Sequence, residues 1–277
     1  MKQSAGTMLV LLLASVPAGA SESELPGSFG GSVNPAGLQI TLGAGRRWDL
    51  YDSRHPLLED ARFSLRLTNR LNPSYNRLEA SLELSPLSVL DLKAAAELIG
   101  YFGNFGHLTG FEGYDDDFSR DVRSARSGES VSGVARRIAL SPALKLRAGR
   151  LSFRAAADFE WWALDHSAPF FYEPSRGTLL RSGEDSLVAV SALVLLRTAR
   201  HADRGVQLGV LYDATHVWDA PQNRKQRIGP LVSLRLGGRF AGVWKPVLFA
   251  SPLYYLEQPT RDSRVGAVLW LSFSLRR

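Results

Sequence analysis

The sequence predicts an all-β fold, an antiparallel transmembrane β-barrel of about 10–12 strands preceded by a cleaved N-terminal signal peptide. Three observations carry this. Apolar residues occupy every second position in segments of about ten residues along most of the chain. The turns between the segments alternate short and long from residue 85 onward. The chain also opens with an export signal.

That signal is "MKQSAGTMLVLLLASVPAGASESE": a cationic start at Lys2, an apolar run from Met8 to Val16, and the small residues Ala18, Gly19 and Ala20 before Ser21. The pattern predicts export with cleavage near Ala20, since the apolar run is too short to anchor the chain as a helix. The expected division is 1–20 signal peptide, 21–35 N-terminal periplasmic segment, and 36–277 barrel. The 277 residues include no cysteine, which removes disulfides, thiolate catalysis and thiolate metal sites. A formal charge of +6 suits nucleic acid in a cytoplasmic chain. In an exported one it points instead to lipopolysaccharide phosphates, an acidic solute, or carboxylates across a lumen, and no nucleic-acid partner is expected.

The alternating segments follow in order. Leu38, Ile40, Leu42 and Ala44 oppose Gln39, Thr41, Gly43 and Gly45, and Phe63, Leu65 and Leu67 oppose Arg62, Ser64, Arg66 and Thr68. Leu151, Phe153, Ala155, Ala157, Phe159 and Trp161 oppose Ser152, Arg154, Asp158 and Glu160. Val206, Leu208, Val210 and Tyr212, then Ile228, Val232, Leu234 and Leu236, repeat the pattern more loosely. The chain ends on Val265, Ala267, Leu269, Leu271, Phe273 and Leu275, with Val268 and Trp270 as apolar exceptions on the polar face. Side chains alternate faces along a strand, so a period of two means that one face meets an apolar medium. Only 187–196 is apolar on both faces, and it is too short to span as a helix.

Short turns are expected at 85–88, 148–150, 199–205 and 237–240, and longer polar loops at 104–130, 165–185, 220–226 and 258–263. Bacterial barrels place short turns in the periplasm and long loops outside, so 104–130 is expected outside and 148–150 inside. Tyr101, Phe102, Trp161, Trp162, Trp218, Tyr254 and Tyr255 lie near the loop ends of these strands and are expected to form an interfacial girdle, with Trp244 at the other interface. The strand count stays open. Apolar parity flips from odd (Phe63, Leu65, Leu67) to even (Leu78, Ala80, Leu82, Leu84) across "LNPSYN". A bulge there leaves about ten strands, whereas a turn requires another strand in 24–35 or 168–181 and gives about twelve.

With its export signal, alternating segments, "WW" and "YY" pairs and C-terminal "AVLWLSFSL", the chain resembles Gram-negative outer-membrane β-barrel proteins over residues 36–277. The resemblance implies a porin-like class, residence in the outer membrane among its lipid and lipopolysaccharide, and insertion by the barrel-assembly machinery. Such chains commonly end on an aromatic residue; here Phe273 is followed by Ser274, Leu275, Arg276 and Arg277.

Faces opposite the apolar parity carry the candidate lumen residues Arg62, Arg66, Lys93, Glu97, Arg137, Lys145, Arg154, Asp158, Glu160, Asp213 and Arg235, with Arg70, Glu79, Glu83 and Arg147 on the same faces. Charges are tolerated there because lipid does not touch them. Two readings compete: an aqueous path whose basic excess favours a small anionic solute, or a network of pairs that plugs a structural barrel. A hydrolase acting on lipid or peptide is the third. Asp213 and His216 invite comparison with outer-membrane aspartyl proteases, but their spacing of three sends them to opposite faces. A Ser–His pair has no evident register with His107, His166 or His201. No catalytic residue and no cofactor are expected. Asp115, Asp116, Asp117 and Asp121 form a weak cation candidate without the order of a calcium-binding loop.

Overall fold

The computed structural model describes residues 21–33, 37–105, 108–198, 204–240, 243–258 and 265–275. The strands are β1 (Ser21–Glu24), β2 (Pro26–Val33), β3 (Gly37–Asp49), β4 (Arg62–Asn72), β5 (Tyr75–Leu87), β6 (Leu90–Phe102), β7 (Gly110–Phe111), β8 (Ser132–Ala148) and β9 (Leu151–Leu164). They continue with β10 (Phe170–Glu173), β11 (Thr178–Arg181), β12 (Gly183–Arg197), β13 (Gly205–Val217), β14 (Ala220–Arg235), β15 (Arg239–Phe240), β16 (Val243–Glu257) and β17 (Val265–Ser274). One short helix, α1 (Arg120–Ala125), lies between β7 and β8.

Twelve of these strands follow one another round a closed antiparallel wall: β2, β3, β4, β5, β6, β8, β9, β12, β13, β14, β16 and β17, with β17 pairing back onto β2. Closure removes both edges, so the backbone of the wall is satisfied within it, as a lipid environment requires. β1 continues the line of β2 along the same side of β3, pairing Ser21–Glu24 with Trp48–Gly45.

The alternation in sequence becomes an inside-out burial pattern. Leu78, Leu84, Leu98, Leu140, Val190 and Leu208 are exposed on the outer face, whereas Glu79, Glu97, Arg137 and Glu160 are buried within. Such an exterior is unfavourable in water and favourable in hydrocarbon.

Several expectations change. "LNPSYN" is a turn, since Asn72 pairs with Tyr75, and the flip of parity is the ordinary consequence of reversing the chain. The strand that restores an even count is β2, inside the segment 21–35 that was assigned to the periplasm ahead of the barrel. Its glycines and serines hide the alternation, but its register with β17 and β3 places it in the wall. Residues 220–226 are not a long loop. They extend β14, joined to β13 by the two residues Trp218 and Asp219. Polar composition there reflects a strand whose inner face meets a filled lumen. Residues 168–181 do hold strands, β10 and β11, but these lie in a separate three-stranded sheet with β7 and not in the wall.

The aromatic pairs split for the reason that adjacent strand residues face opposite ways. Trp161 is 52 % exposed on the outside, whereas Trp162 is 2 % exposed inside. Phe102, Trp218 and Tyr254 join Trp161 outside, while Tyr101 and Tyr255 point inward. Four of the seven residues expected at this interface thus form the girdle.

Candidate functional site

At the loop end, residues 165–182 fold back as a β10–β11 hairpin. The sequence "PFFYEPSRGTLL" explains it: two runs of apolar and aromatic residues flank a turn at Pro174–Gly177. Gly177 adopts φ 64°, a left-handed conformation that favours glycine, and its N–H donates to Glu173 O at 2.8 Å. Phe171 pairs with Leu180 and Tyr172 with Leu179, so each pair faces one side. Phe171 and Leu180 pack on an apolar inner wall that includes Ile99, Ala135, Trp162, Leu164, Leu187 and Val217. Tyr172 and Leu179 are covered from the other side by Phe111 and Phe118. Arg123 of α1 lies over the Tyr172 ring, 4.0 Å from its centroid. Burying each of these large side chains contributes about 1.5–3 kcal/mol, enough to hold a hairpin that has no wall pairing of its own.

The hairpin tip enters the lumen and meets the charged wall. Glu173 accepts from Arg77 Nη2 (2.5 Å), Ser175 N (2.8 Å), Ser175 Oγ (2.5 Å) and Tyr101 Oη. Burial pushes its pKa up. The Arg77 charge and the hydrogen bonds from Ser175 and Tyr101 outweigh this and hold the carboxyl below its usual range. Arg176 bonds Glu160 and reaches Asp158 at 3.4 Å. The turn's carbonyls are met from the opposite wall and beyond it, with Lys225 Nζ donating to Arg176 O (2.6 Å) and Gln258 Nε2 to Gly177 O (2.9 Å).

Behind the tip the wall charges form one network. Arg70 pairs with Glu79 (2.9 Å) and Glu97 (2.7 Å), and Lys93 with Glu79 (2.7 Å). Arg137 joins Glu97 (3.0 Å) to Glu160 (2.6 Å). The layering is asymmetric. The Glu79, Glu97 and Glu160 side chains are 0–2 % exposed, whereas those of Arg70 and Lys93 are 25 % and 32 % exposed. Glu79, Glu97 and Glu160 lie against the wall and Arg70 and Lys93 face the lumen, whereas Arg137 is 10 % and Asp158 37 % exposed.

Every candidate lumen residue occupies an inward position. Arg66 pairs with Glu24 (2.7 Å), Arg62 with Glu83 (3.6 Å), Lys145 with Asp91 (2.7 Å), and Asp213 with Arg227 (2.7 Å). Lys93, Glu97, Arg137, Asp158 and Glu160 belong to the central network. Arg154 and Arg235 have no ion pair among the described residues. Sequence reasoning missed Gln39, Tyr75, Arg77, Glu173, Ser175 and Arg176. Arg77 shares the parity of Glu79, so it was accessible to the same argument. Gln39 and Tyr75 also lie on inward parities of β3 and β5, whereas Glu173, Ser175 and Arg176 needed the hairpin.

Two cavities flank the tip. One, of 420 Å³, is a polar chamber lined by Arg70, Lys93, Arg137, Arg154, Asp158 and Arg176, with Ala95, Ala139, Ala143 and Ala156 as its small side chains. The other, of 1650 Å³, lies on the side of β2, β14, β16 and β17. Gln39, Tyr75 and Ser175 line both, so these residues stand between the two. Tyr75 Oη donates to Gln39 Oε1 at 3.3 Å across this neck.

Asp213 and His216 point to opposite faces, Asp213 to Arg227 and His216 to the outer aromatic Trp218. His166 is held in its loop by Leu108 O and Ala168 N; His107 and His201 lie outside the described residues. The aspartate run does not assemble a cation site. Asp116 accepts from the N–H groups of Glu112 and Gly113, and Asp117 from that of Ser119. Among the described residues no three metal-ligating side chains converge.

No protein-family model matches the chain, and no curated protein matches it. Solved structures do. The NanC porin is 7 % identical with a TM-score of 0.45, over 91 % of this chain and 100 % of that one. The translocator domain of the autotransporter NalP from Neisseria meningitidis is 11 % identical with a TM-score of 0.44, over 98 % and 94 %. OmpT of Vibrio cholerae is 6 % identical with a TM-score of 0.37, over 93 % and 100 %. The fold described above, a closed twelve-stranded antiparallel barrel with an apolar exterior, is that of an outer-membrane β-barrel.

Proposed function

We propose that this barrel is a narrow, porin-like passive pore of the outer membrane that favours a small anionic solute. The observation that carries the reading is the layering of charge in the lumen. Glu79 and Glu97 are buried against the wall and their partners Arg70 and Lys93 are exposed to the chamber, which Arg154 also lines, so a solute there meets these guanidinium and ammonium groups. The chamber lining holds six cations (Arg70, Arg77, Lys93, Arg137, Arg154 and Arg176) and four carboxylates (Glu79, Glu83, Asp91 and Asp158). A bidentate-capable fork such as Arg154 recognises carboxylate or phosphate well. The path runs from the large cavity through the Gln39–Tyr75–Ser175 neck into the chamber. We read the chain as a pore and not as a hydrolase, because Asp213 is committed to Arg227 and His216 lies on the lipid face.

A plugged barrel is the second reading, and the docked hairpin favours it. Planar-bilayer recordings of the refolded protein under a salt gradient decide between the two. A pore gives discrete conductance with a reversal potential on the anion side. Arg154→Glu, which removes a cation that holds no wall partner, shifts that potential toward cations. A protein silent in all salts is a plug, and cation preference in the parent protein refutes the proposal.

A further inference from the structure

Two charged side chains of the 420 Å³ chamber stand apart from its network of pairs, and both belong to β9. The Arg154 side chain has no ion pair or hydrogen bond among the described residues. Asp158 is the most exposed carboxylate of the lining, its side chain 37 % exposed against 23 % for Glu83, the next. Its one partner among the described residues is Arg176, whose Nη2 lies 3.4 Å from Oδ2, a distance at which a hydrogen bond is weak. Arg176 is also held by Glu160, which its Nε meets at 3.1 Å, so it keeps its place without Asp158. The order along the strand makes these groups one site. Arg154, Ala156 and Asp158 share the inward face of β9, which sets Arg154 and Asp158 about 13 Å apart at Cα. Only small side chains lie between them: Ala156 pairs with Ala143 of β8 and with Ser191 of β12, and all three line the chamber. The length of an arginine side chain leaves a span that a solute of a few carbon atoms bridges.

The charges are ordered as well as spaced. One end offers an unpaired cation, and the other a half-exposed carboxylate beside a cation. A plain dicarboxylate is repelled at Asp158, whereas a solute with an ammonium group next to one of its carboxylates fits both ends. We infer that the chamber binds an acidic α-amino acid. Its α-ammonium group donates to Asp158, its α-carboxylate accepts from Arg176, and its side-chain carboxylate accepts from Arg154, each bond charge-assisted. Such a solute is an anion overall, so the inference names the substrate class of the chamber and rests on the reading of that chamber as a path for small anions.

Three probes separate the groups. L-Glutamate carries all three charges, glutarate lacks the ammonium group, and L-glutamine lacks the side-chain charge. Each is titrated into refolded full-length protein in detergent micelles at low salt and neutral pH, and binding is read by saturation-transfer NMR. Glutamate should bind about tenfold more tightly than either of the others. Asp158→Asn should bring glutamate down to the level of glutarate and leave glutarate no weaker. Arg154→Gln should bring glutamate down to the level of glutamine and leave glutamine unchanged. Both variants alter side chains that the wall does not use, and each is titrated only as a folded, heat-modifiable barrel. The inference is overturned if glutarate or glutamine binds as tightly as glutamate, if Asp158→Asn weakens glutarate as much as glutamate, or if none of the three binds. A protein that conducts anions without this discrimination keeps the pore reading and loses the inference. A protein silent in bilayers that still discriminates keeps the site and loses the pore.

Discussion

The two halves of the lumen are built from the same barrel and solve its interior in opposite ways. Along β5, β6, β8 and β9 the inner face is filled: charges pair across strands, and the hairpin packs above them on Ile99, Trp162 and Leu164. Along β2, β16 and β17 it presents Gly30, Ser32, Ser251, Val268 and Trp270, and the hairpin leaves a cavity. A barrel of this size has an interior that side chains alone do not close, so something must occupy it or it stays open. The difference shows that occupancy is decided locally. Long paired side chains on four strands create a floor on which a loop can dock, and the facing strands, uncharged there and with glycine and serine beside Val268 and Trp270, withhold it.

The sharpest break of this asymmetry is to remove the hairpin. Replacing residues 168–181 with a short polar turn should raise single-channel conductance several-fold and move the open area to the β5–β9 side. The recording is made on material that still migrates as a folded, heat-modifiable barrel. Conductance equal to that of the parent protein would mean that the path never passes the tip.

A smaller effect comes from the anchor alone. The folded-state pKa of Glu173 lies below its unfolded value, so its contribution is fully present above the unfolded value, near 4.3, and is lost as pH falls through the lower folded one. Docking should therefore be constant from neutrality to about pH 5 and weaken only in acid below about pH 4. Conductance recorded in acid reads the release, and trypsin cutting at Arg176 reads a hairpin loosened at neutral pH. Glu173→Gln leaves buried Arg77 with only its longer pair to Glu97 at 3.5 Å, so it should show the loosened state at neutral pH, at a cost of up to about 3–5 kcal/mol. It should also lose the acid step. A step that persists in the variant assigns it to another carboxylate.

These tests concern features that were unequally visible beforehand. The wall was legible because lipid on one side and charge on the other impose a period of two, and Arg62, Glu97, Arg154 and Glu160 were placed inward by parity alone. β2 was placed only as one of two alternatives, 24–35 or 168–181, for a further strand, because glycine and serine carry no hydrophobic contrast between faces. The hairpin was hidden for another reason. Its apolar residues bury against the inside of the barrel, so their partners Ile99, Ala135 and Val217 lie far off in sequence. Residues 168–181 were named as one place for a further wall strand, but "FFYEPSRGTLL" was not read as a hairpin inside a polar loop. The pairs "WW" and "YY" were misread by treating adjacent residues as one unit on a structure that separates them.

The smallest effect belongs to the base of the hairpin and tests whether its tip or its base holds it. Arg181, the last residue of β11, reaches Asp219 at 2.9 Å in the β13–β14 turn, with both side chains about half exposed. In chemistry this pair matches Arg77–Glu173, which is 2.5 Å apart with both side chains 5 % exposed or less. Water screens the first pair and is excluded from the second, so pairing at the base contributes only about 0–1 kcal/mol. Asp219→Asn should leave conductance, thermal stability and cutting at Arg176 within error of the parent protein, in low and high salt alike. A loss close to that of Glu173→Gln would place the restraint at the mouth of the barrel. The filled half would then owe its occupant to the rim pair, and the buried network would serve only to neutralise the charges that the wall strands carry inward.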